Sequence, residues 1–161
     1  MRSAGVLPLF DDGNTVLLGR EYRKRYNCYN WMEFGGKVEE GETLAMAAWR
    51  EANEETAQTL RITLEQVLEA ERLENYVDYL NPKTGMFYRM YYLYLDAKPE
   101  PTEFVFNAVG QSHVEMVEWR YFTTNDVLNN QGGVLPGTDD KLYETTCVRL
   151  ELLKSKKVRQ V

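Results

Sequence analysis

The segment from Thr43 to about Gln58 constrains the fold more than any other part of the chain. Its composition predicts a helix, because Thr43 is suited to cap the N-terminus and several helix-favouring alanines follow it. At about 100° per residue, the apolar residues fall on one side, namely Ala45, Met46, Trp49, Ala52, Thr56 and Ala57. A helix with one apolar side must bury that side, so the chain has to supply a sheet or another helix to cover it.

Short apolar runs before and after this helix predict the covering sheet. Such runs occupy residues 3–10, 15–18, 66–80, 86–96 and 113–122. The turn sequence DDGN joins the first two runs and NPKTG joins the third and fourth, so each pair predicts a β-hairpin. The last run alternates like a single strand.

The remaining segments predict loops and two further helices. We expect a polar loop at 20–30, a break in any strand at Gly35 and Gly36, a short helix at 126–129 and an amphipathic terminal helix at 139–154. The mixed order of strands and helices indicates an α+β fold in which a sheet and helices form layers.

Length and charge limit the class of protein. A chain of 161 residues and 18.8 kDa fits one domain over 1–161, with a basic tail at about 154–161. The 19 basic and 25 acidic residues give a formal net charge of −6, which excludes a whole-surface basic field for duplex DNA.

Compartment and metal chemistry are also indicated by composition. There is no apolar run long enough to span a bilayer and no signal-peptide cleavage pattern, so we expect no membrane partner and a cytoplasmic location. Cys28 and Cys147 form neither a CxxC pair nor a cluster with histidine, so we expect any metal to be a hard cation bound by oxygen.

The side of the predicted helix opposite its apolar face carries the sharpest chemical signal. Arg50, Glu51, Glu54 and Glu55 lie within about 140° of arc. Glu51 and Glu55 are like charges four residues apart, which is unfavourable, and neither has a basic residue four positions away. A solvated acidic stripe is the commoner interpretation of such a face, but this spacing favours a site for a divalent cation.

The spacing around this face completes a longer motif. Gly36 is followed after five residues by Glu42, and after seven more by Arg50 and Glu51, with Glu54 and Glu55 next. This series resembles the Nudix box, G-x5-E-x7-R-E-U-x-E-E-x-G-U, in which U is apolar. The preceding segment WMEFGGK is similar to the W-x-x-P-G-G-K that often leads into the box, with Phe34 in place of proline; Ala57 and Gln58 replace the last two box residues.

The resemblance implies a Nudix hydrolase with an α/β/α sandwich and a mixed central sheet, which cleaves the diphosphate linkage of a nucleoside diphosphate derivative. It also implies that Glu51, Glu54, Glu55 and the Gly35 carbonyl bind Mg²⁺ or Mn²⁺. Arg50 would hold the carboxylates and Glu42 would support the loop. The family's general base is either a box glutamate or a later acidic residue. Glu118 and Glu115 are the later candidates here, unless they are merely exposed strand positions.

Substrate contacts are predicted mainly outside the motif. Arg20, Arg23, Lys24 and Arg25 lie among tyrosines and can hold phosphates and stack on bases, although a solvated loop is an equal alternative. Lys37 and Tyr76 are further candidates. Sequence marks of the NADH, coenzyme A and ADP-ribose subfamilies are missing, which favours a nucleoside triphosphate or similar small nucleotide. A capped RNA 5′ end, a dinucleoside polyphosphate, or nucleotide binding without hydrolysis are the alternatives.

Overall fold

The computed structural model describes residues 1–112, 114–130 and 132–160, with the side chains of 157–160 left undescribed. Its strands are β1 (Arg2–Phe10), β2 (Thr15–Arg23), β3 (Cys28–Met32), β4 (Phe34–Lys37), β5 (Tyr76–Leu80), β6 (Phe87–Tyr94), β7 (Met116–Thr123) and β8 (Lys141–Leu142). Its α-helices are α1 (Leu44–Glu55), α2 (Leu64–Arg72), α3 (Pro101–Ala108), α4 (Thr124–Leu128) and α5 (Glu144–Gln160).

Strand β1 is the centre of a branched, mixed sheet. It runs parallel to β6 from Arg2 to Leu9, antiparallel to β4 near its start and antiparallel to β2 at its end. Strand β2 then pairs with both β7 and β3, and the main path through the sheet is β5-β6-β1-β2-β3-β8. The predicted mixed sheet is therefore confirmed.

Each face of the sheet has its own apolar core. On one face, α1, α2 and α3 pack against β1, β6 and β7, and Phe104 stacks on Trp119. On the other face, α4 and α5 contribute Val127, Leu150 and Leu153 to a second cluster. This arrangement confirms the expected α+β sandwich of helices on both sides of the sheet. None of the helices in the described residues is long and apolar enough to cross a membrane.

The segment at 20–30 is a hairpin rather than a loop. Strands β2 and β3 pair antiparallel here, and Tyr22 lies opposite Tyr29. Asn27 makes the turn in the left-handed conformation. The hairpin extends beyond the core and has polar residues on both faces. The alternation of apolar and polar residues that normally identifies a strand in a sequence is therefore absent. Gly35 and Gly36 do not break a strand either, because both belong to β4.

The first half of the predicted long strand 66–80 is helix α2. Thr63 and Gln66 form a capping box, and Val67 and Ala70 are buried three residues apart, as in a helix. Helix α3 was not predicted, although Pro101 at its first turn and Glu103 in a second capping box are recognisable start signals. The terminal helix begins at Glu144 rather than 139.

The basic tail belongs in part to helix α5. The Lys156 ammonium group donates a hydrogen bond to the Tyr76 carbonyl oxygen at 2.7 Å and lies 5.1 Å from the centre of the Tyr76 ring. Lys156 is therefore packed against β5 rather than frayed. The predicted tail beyond Lys156 lies largely outside the side chains that are described.

The glycine pair in β4 allows two close approaches, one on each face of the strand. A Cβ atom on Gly35 would overlap the Tyr88 hydroxyl oxygen on one face, and a Cβ on Gly36 would lie 2.5 Å from a Glu51 carboxylate oxygen on the other. Gly5, which pairs with Gly35, is covered by the same Tyr88 hydroxyl. These three glycines allow β1 and β4 to fit between α1 and Tyr88.

We predict that Gly5→Ala destabilises the protein by about 1–3 kcal/mol, because the new methyl group would overlap Tyr88 and lie 2.5 Å from the Phe34 carbonyl oxygen. Gly133→Ala is the control, since its nearest neighbour would be 3.5 Å away and its φ is not positive. Denaturant unfolding of both variants measures the difference. Equal stabilities would show that the sheet has room at Gly5.

Candidate active site

Carboxylates from three separate parts of the chain meet beside β4. Glu55 comes from the last turn of α1, Glu21 from β2 and Glu115 from the segment before β7. One carboxylate oxygen from each of these three residues lies within 4.8 Å of the others. Sets of hard oxygen donors at this spacing are suited to a divalent cation.

Glu55 is held deep in the structure, with only 7% of its surface exposed. The backbone N–H of Gly35 donates a 2.7 Å hydrogen bond to its carboxylate, and the Trp119 indole N–H donates to its backbone carbonyl oxygen at 2.9 Å. Burial raises the pKa of Glu55 well above its usual range, and the charges of Glu21 and Glu51 add to the effect. The helix side that sequence periodicity predicts to be exposed is thus partly buried against the sheet.

Glu21 is a member of this cluster that sequence reasoning did not predict. It is 7% exposed, and the guanidinium group of Arg23 lies 3.0 Å from its carboxylate. Burial, followed by the proximity of Glu115, raises the pKa of Glu21 to about 7 despite Arg23. No sequence motif marks Glu21, which lies in a polar, basic segment. The one signal that could have identified it is the alternation of side chains along β2, which places Glu21 on the inner face of the sheet.

Arg50 connects the motif carboxylates. Its guanidinium group makes a bidentate contact with Glu42, at 2.8 Å and 2.9 Å, and donates to Glu51 at 2.9 Å. Its contact with Glu54 is longer, at 3.4 Å, so the bidentate partner is Glu42 rather than Glu54. Arg50 also donates to the Lys37 carbonyl oxygen at 3.1 Å, and thus ties α1 to the end of β4.

Glu51 lies against the bare backbone of Gly36. Burial raises the pKa of Glu51, while its hydrogen bond from Arg50 acts in the opposite direction. Glu42 supports the loop between β4 and α1, because its carboxylate accepts a 2.9 Å hydrogen bond from the Glu39 backbone N–H. The hydrogen bond from Arg50 lowers the pKa of Glu42.

The two later acidic candidates lie in different places. Glu115 belongs to the carboxylate cluster. Glu118 instead receives two hydrogen bonds from Arg120, at 3.0 Å and 2.6 Å, and lies opposite Arg20 in the β2–β7 ladder. Arg20 and Glu21 are consecutive in a strand, so their side chains point to opposite faces of the sheet. Glu118 lies on the same face as its cross-strand partner Arg20, and therefore on the face opposite Glu21.

Of the six predicted substrate contacts, three lie beside the carboxylate cluster and three lie elsewhere. Arg23, Arg25 and Lys37 line one large cavity next to the carboxylates. The other three candidates, Arg20, Lys24 and Tyr76, are not among the residues that line it. Arg20 pairs with Asp140 at 2.7 Å on the opposite face, and Lys24 is exposed in the turn between β2 and β3. Tyr76 lies beneath the guanidinium group of Arg89, 3.8 Å from ring centre to Cζ.

The cavity has a volume of about 1020 Å³, at the upper end of the usual range for ligand pockets. Its acidic side contains the carboxylates of β2, α1 and the segment before β7. Its other walls come from the β2–β3 hairpin, the β5–β6 hairpin and the start of α5. They provide four tyrosines, Tyr26, Tyr79, Tyr88 and Tyr143. This cavity thus combines cation-binding oxygens, basic groups and aromatic rings.

A family model described as the NUDIX domain matches residues 1–144. The chain therefore belongs to the Nudix family, as the motif predicted. Membership of this family classes the chain as a pyrophosphohydrolase, a hydrolase that acts on phosphoric anhydrides. Among curated proteins, no sequence reaches significant similarity to this chain.

Solved structures of low sequence identity share the fold. An Ap4A hydrolase from C. elegans in a binary complex is 18% identical, with a TM-score of 0.60 and 98% of each chain covered. A MutT protein from Methanosarcina mazei Go1 is 19% identical, with a TM-score of 0.61 and coverage of 98% of this chain and 94% of that one.

A third similar structure is a bifunctional NMN adenylyltransferase/ADP ribose pyrophosphatase from Francisella tularensis, complexed with AMP and a Mn ion. It is 16% identical, with a TM-score of 0.59, and the match covers 96% of this chain but 41% of that one. At these identities, the three similarities establish a common fold.

The buried carboxylates predict an unusual pH dependence of stability. Burial raises the pKa of Glu21 from its ordinary value of 4.5, which applies in the unfolded chain, to about 7 in the folded protein. The folded state therefore retains a proton that the unfolded state has lost. Between pH 4.5 and about 7, this group should lower the free energy of unfolding by at most about 1.4 kcal/mol per pH unit as pH rises.

Urea unfolding in the presence of a chelator, repeated across this pH window, measures the effect. Glu21→Gln should flatten the pH dependence, whereas Glu65→Gln, at an exposed position of α2, should follow the wild type. Parallel curves for wild type and Glu21→Gln would contradict the raised pKa.

Proposed function

We propose that this Nudix protein hydrolyses the diphosphate linkage of a small nucleotide, a nucleoside triphosphate or a similar compound, with Mg²⁺ or Mn²⁺ as cofactor. The observation that carries the proposal is the composition of the cavity. It places a cluster of carboxylates, of which Glu21 and Glu55 are buried, beside basic side chains and tyrosines. A diphosphate and a carboxylate cluster repel each other, so a cation between them is needed for binding.

The metal would be held by Glu51, Glu54, Glu55 and the Gly35 carbonyl, as the motif implies. Glu21 is suited to join them, because its carboxylate oxygen lies within 4.8 Å of that of Glu55. When bound, a divalent cation neutralises charge on phosphate oxygens and activates water for attack. Arg50 would hold the carboxylates in place, since it contacts Glu51 directly and Glu54 at longer range.

A general base is needed close to these groups. We propose Glu115 in preference to Glu118, because Glu115 shares the cavity with Glu55 while Glu118 is paired with Arg120 on the other face. Comparing Glu115→Gln with Glu118→Gln tests the choice. The larger loss of kcat should occur at Glu115.

The basic residues of the cavity would bind the phosphates of the nucleotide, and the tyrosines would stack on its base. Arg25 and Lys37 present exposed cations to the cavity. Arg23 has a second partner, since its guanidinium group lies 4.5 Å from the centre of the Tyr143 ring. Stacking on an aromatic ring suits any nucleobase, so these walls favour a nucleotide without selecting one base.

A dinucleoside polyphosphate is the second candidate, and the size of the cavity favours it. At about 1020 Å³ the cavity has room beyond a single nucleotide, and one structure with this fold is an Ap4A hydrolase. A capped RNA 5′ end remains the third candidate. A screen of nucleoside triphosphates, dinucleoside polyphosphates and capped RNA with Mg²⁺, with products identified by mass, separates them. Turnover of none would point to a nucleotide-binding domain.

We predict that Glu55→Gln lowers kcat by about 10² or more, because it removes a charged ligand from the proposed metal site. The fold should persist, since the amide can still accept the Gly35 hydrogen bond, and repulsion from Glu21 is relieved. Glu65→Gln serves as the control because that side chain is exposed on α2. Normal Mg²⁺-dependent turnover by Glu55→Gln would refute the metal assignment.

We further predict that replacing Arg25 and Lys37 together by Ala raises KM several-fold more than it lowers kcat, because phosphate binding is lost while the carboxylate cluster is intact. Raising the salt concentration should reduce the difference from wild type, since exposed charges are screened. Lys24→Ala is the matched comparison, because Lys24 neighbours Arg25 in sequence but does not line the cavity. A KM equal to that of wild type in the double variant would place the phosphates elsewhere.

A further inference from the structure

A buried ion pair between Glu33 and Arg149 lines the cavity that contains the proposed metal ligands. The Glu33 carboxylate receives two hydrogen bonds from the Arg149 guanidinium group and one, at 3.1 Å, from the Thr146 hydroxyl. Glu33 is 3% exposed and Arg149 4% exposed. The pair joins the residue that immediately precedes β4 to helix α5, across a sequence separation of 116 residues.

The same guanidinium group also covers Tyr88. Its Cζ atom lies 3.9 Å from the centre of the Tyr88 ring, and the Tyr88 hydroxyl oxygen lies against the bare backbone of Gly35. The Gly35 N–H donates a hydrogen bond to the Glu55 carboxylate at 2.7 Å. Gly35 is therefore fixed between Tyr88 on one side and Glu55 on the other.

Arg149 acts on Gly35 by two routes. Through Glu33 it holds the backbone two residues before Gly35, and through Tyr88 it holds the surface on which Gly35 rests. Both routes end at the peptide group that orients Glu55. A one-residue shift of β4 or a rotation of this peptide would remove the hydrogen bond to that carboxylate.

Stability alone does not account for such a pair. Removing two charges from water is expensive, and apolar residues of similar volume often replace a buried ion pair without loss of stability. The pair also lines the cavity rather than the apolar core. A planar guanidinium group can make fixed contacts with a carboxylate and a ring at once, which apolar side chains cannot.

We propose that Arg149 is a positioning residue for the metal site, which acts through Glu33 and Tyr88 to hold Gly35 against Glu55. This inference rests on the proposed function, because it concerns the same site. It adds a residue from helix α5, more than 90 positions after the motif, to the groups on which metal binding depends.

The test replaces the ion pair by apolar residues, Glu33→Leu with Arg149→Met, and uses Arg149→Lys as a second variant that keeps the charge but loses the planar fork. The matched control is Asp78→Leu with Arg89→Met. Arg89 makes a bidentate contact with Asp78 and covers the Tyr76 ring at 3.8 Å, and none of these three residues lines the cavity.

Three quantities are measured for each protein: the unfolding temperature, the affinity for Mn²⁺ from the electron paramagnetic resonance signal of free ion, and kcat and KM. Wild type and control should agree in Mn²⁺ affinity. The apolar variant should remain folded and bind Mn²⁺ about 10- to 100-fold more weakly, with reduced kcat and little change in KM. Arg149→Lys should show a smaller loss of the same kind.

Wild-type Mn²⁺ affinity and kcat in a folded apolar variant would overturn the proposal and leave the pair a structural role. A rise in KM with unchanged Mn²⁺ affinity would also overturn it, since Arg149 would then contact the substrate. If the apolar variant does not fold, unchanged Mn²⁺ affinity in Arg149→Lys overturns it. If wild type hydrolyses no nucleotide, the proposed function fails, and the Mn²⁺ comparison still tests the positioning role.

Discussion

The structure depends on the close contact between helix α1 and strand β4. Glu55 reaches the Gly35 N–H, and Glu51 lies directly on Gly36. A side chain at Gly36 would occupy the space of the Glu51 carboxylate, so the helix can approach the strand only because this position is bare. A side chain at Gly35 would occupy the space of the Tyr88 hydroxyl on the other face of the strand. The consequence is that two carboxylates of one helix are held in defined positions at the edge of the sheet.

This contact concentrates more negative charge than the nearby protein groups neutralise. Arg50 is shared among Glu42, Glu51 and Glu54, and Arg23 is the ion-pair partner of Glu21. Among the residues that the structure describes, the Gly35 backbone N–H is the one hydrogen-bond donor to the Glu55 carboxylate. Buried like charges raise one another's pKa and favour protonation. A cation bound between them would remove this penalty, so the mutual repulsion of the carboxylates is also what suits the cluster to a divalent metal.

The rest of the cavity comes from elements that are far apart in sequence. The β2–β3 hairpin supplies Arg23 and Arg25, the β5–β6 hairpin supplies Tyr79, and α5 supplies Arg149. Helices on both faces of the sheet stabilise this assembly, because each hairpin extends from a strand whose base is buried in one of the two cores. The metal-site carboxylates of α1 and β2 are therefore carried by elements that pack in the cores, and longer side chains line the walls proposed to hold the nucleotide.

The sequence by itself determined the helix, its cap at Thr43 and the family, because the spacing of Gly36, Arg50 and the glutamates is local and a helix converts that spacing into geometry. Only the tertiary structure decided which carboxylates lie together. Glu21 is buried beside Glu55, and the pairing of β2 with β7 brings the exposed Glu115, one residue before β7, to both of them. The Glu33–Arg149 pair forms across 116 residues. Such contacts leave no periodic signal in a single sequence, since they depend on how β2, β4, β7 and α5 pack and not on the order of residues within any one of them.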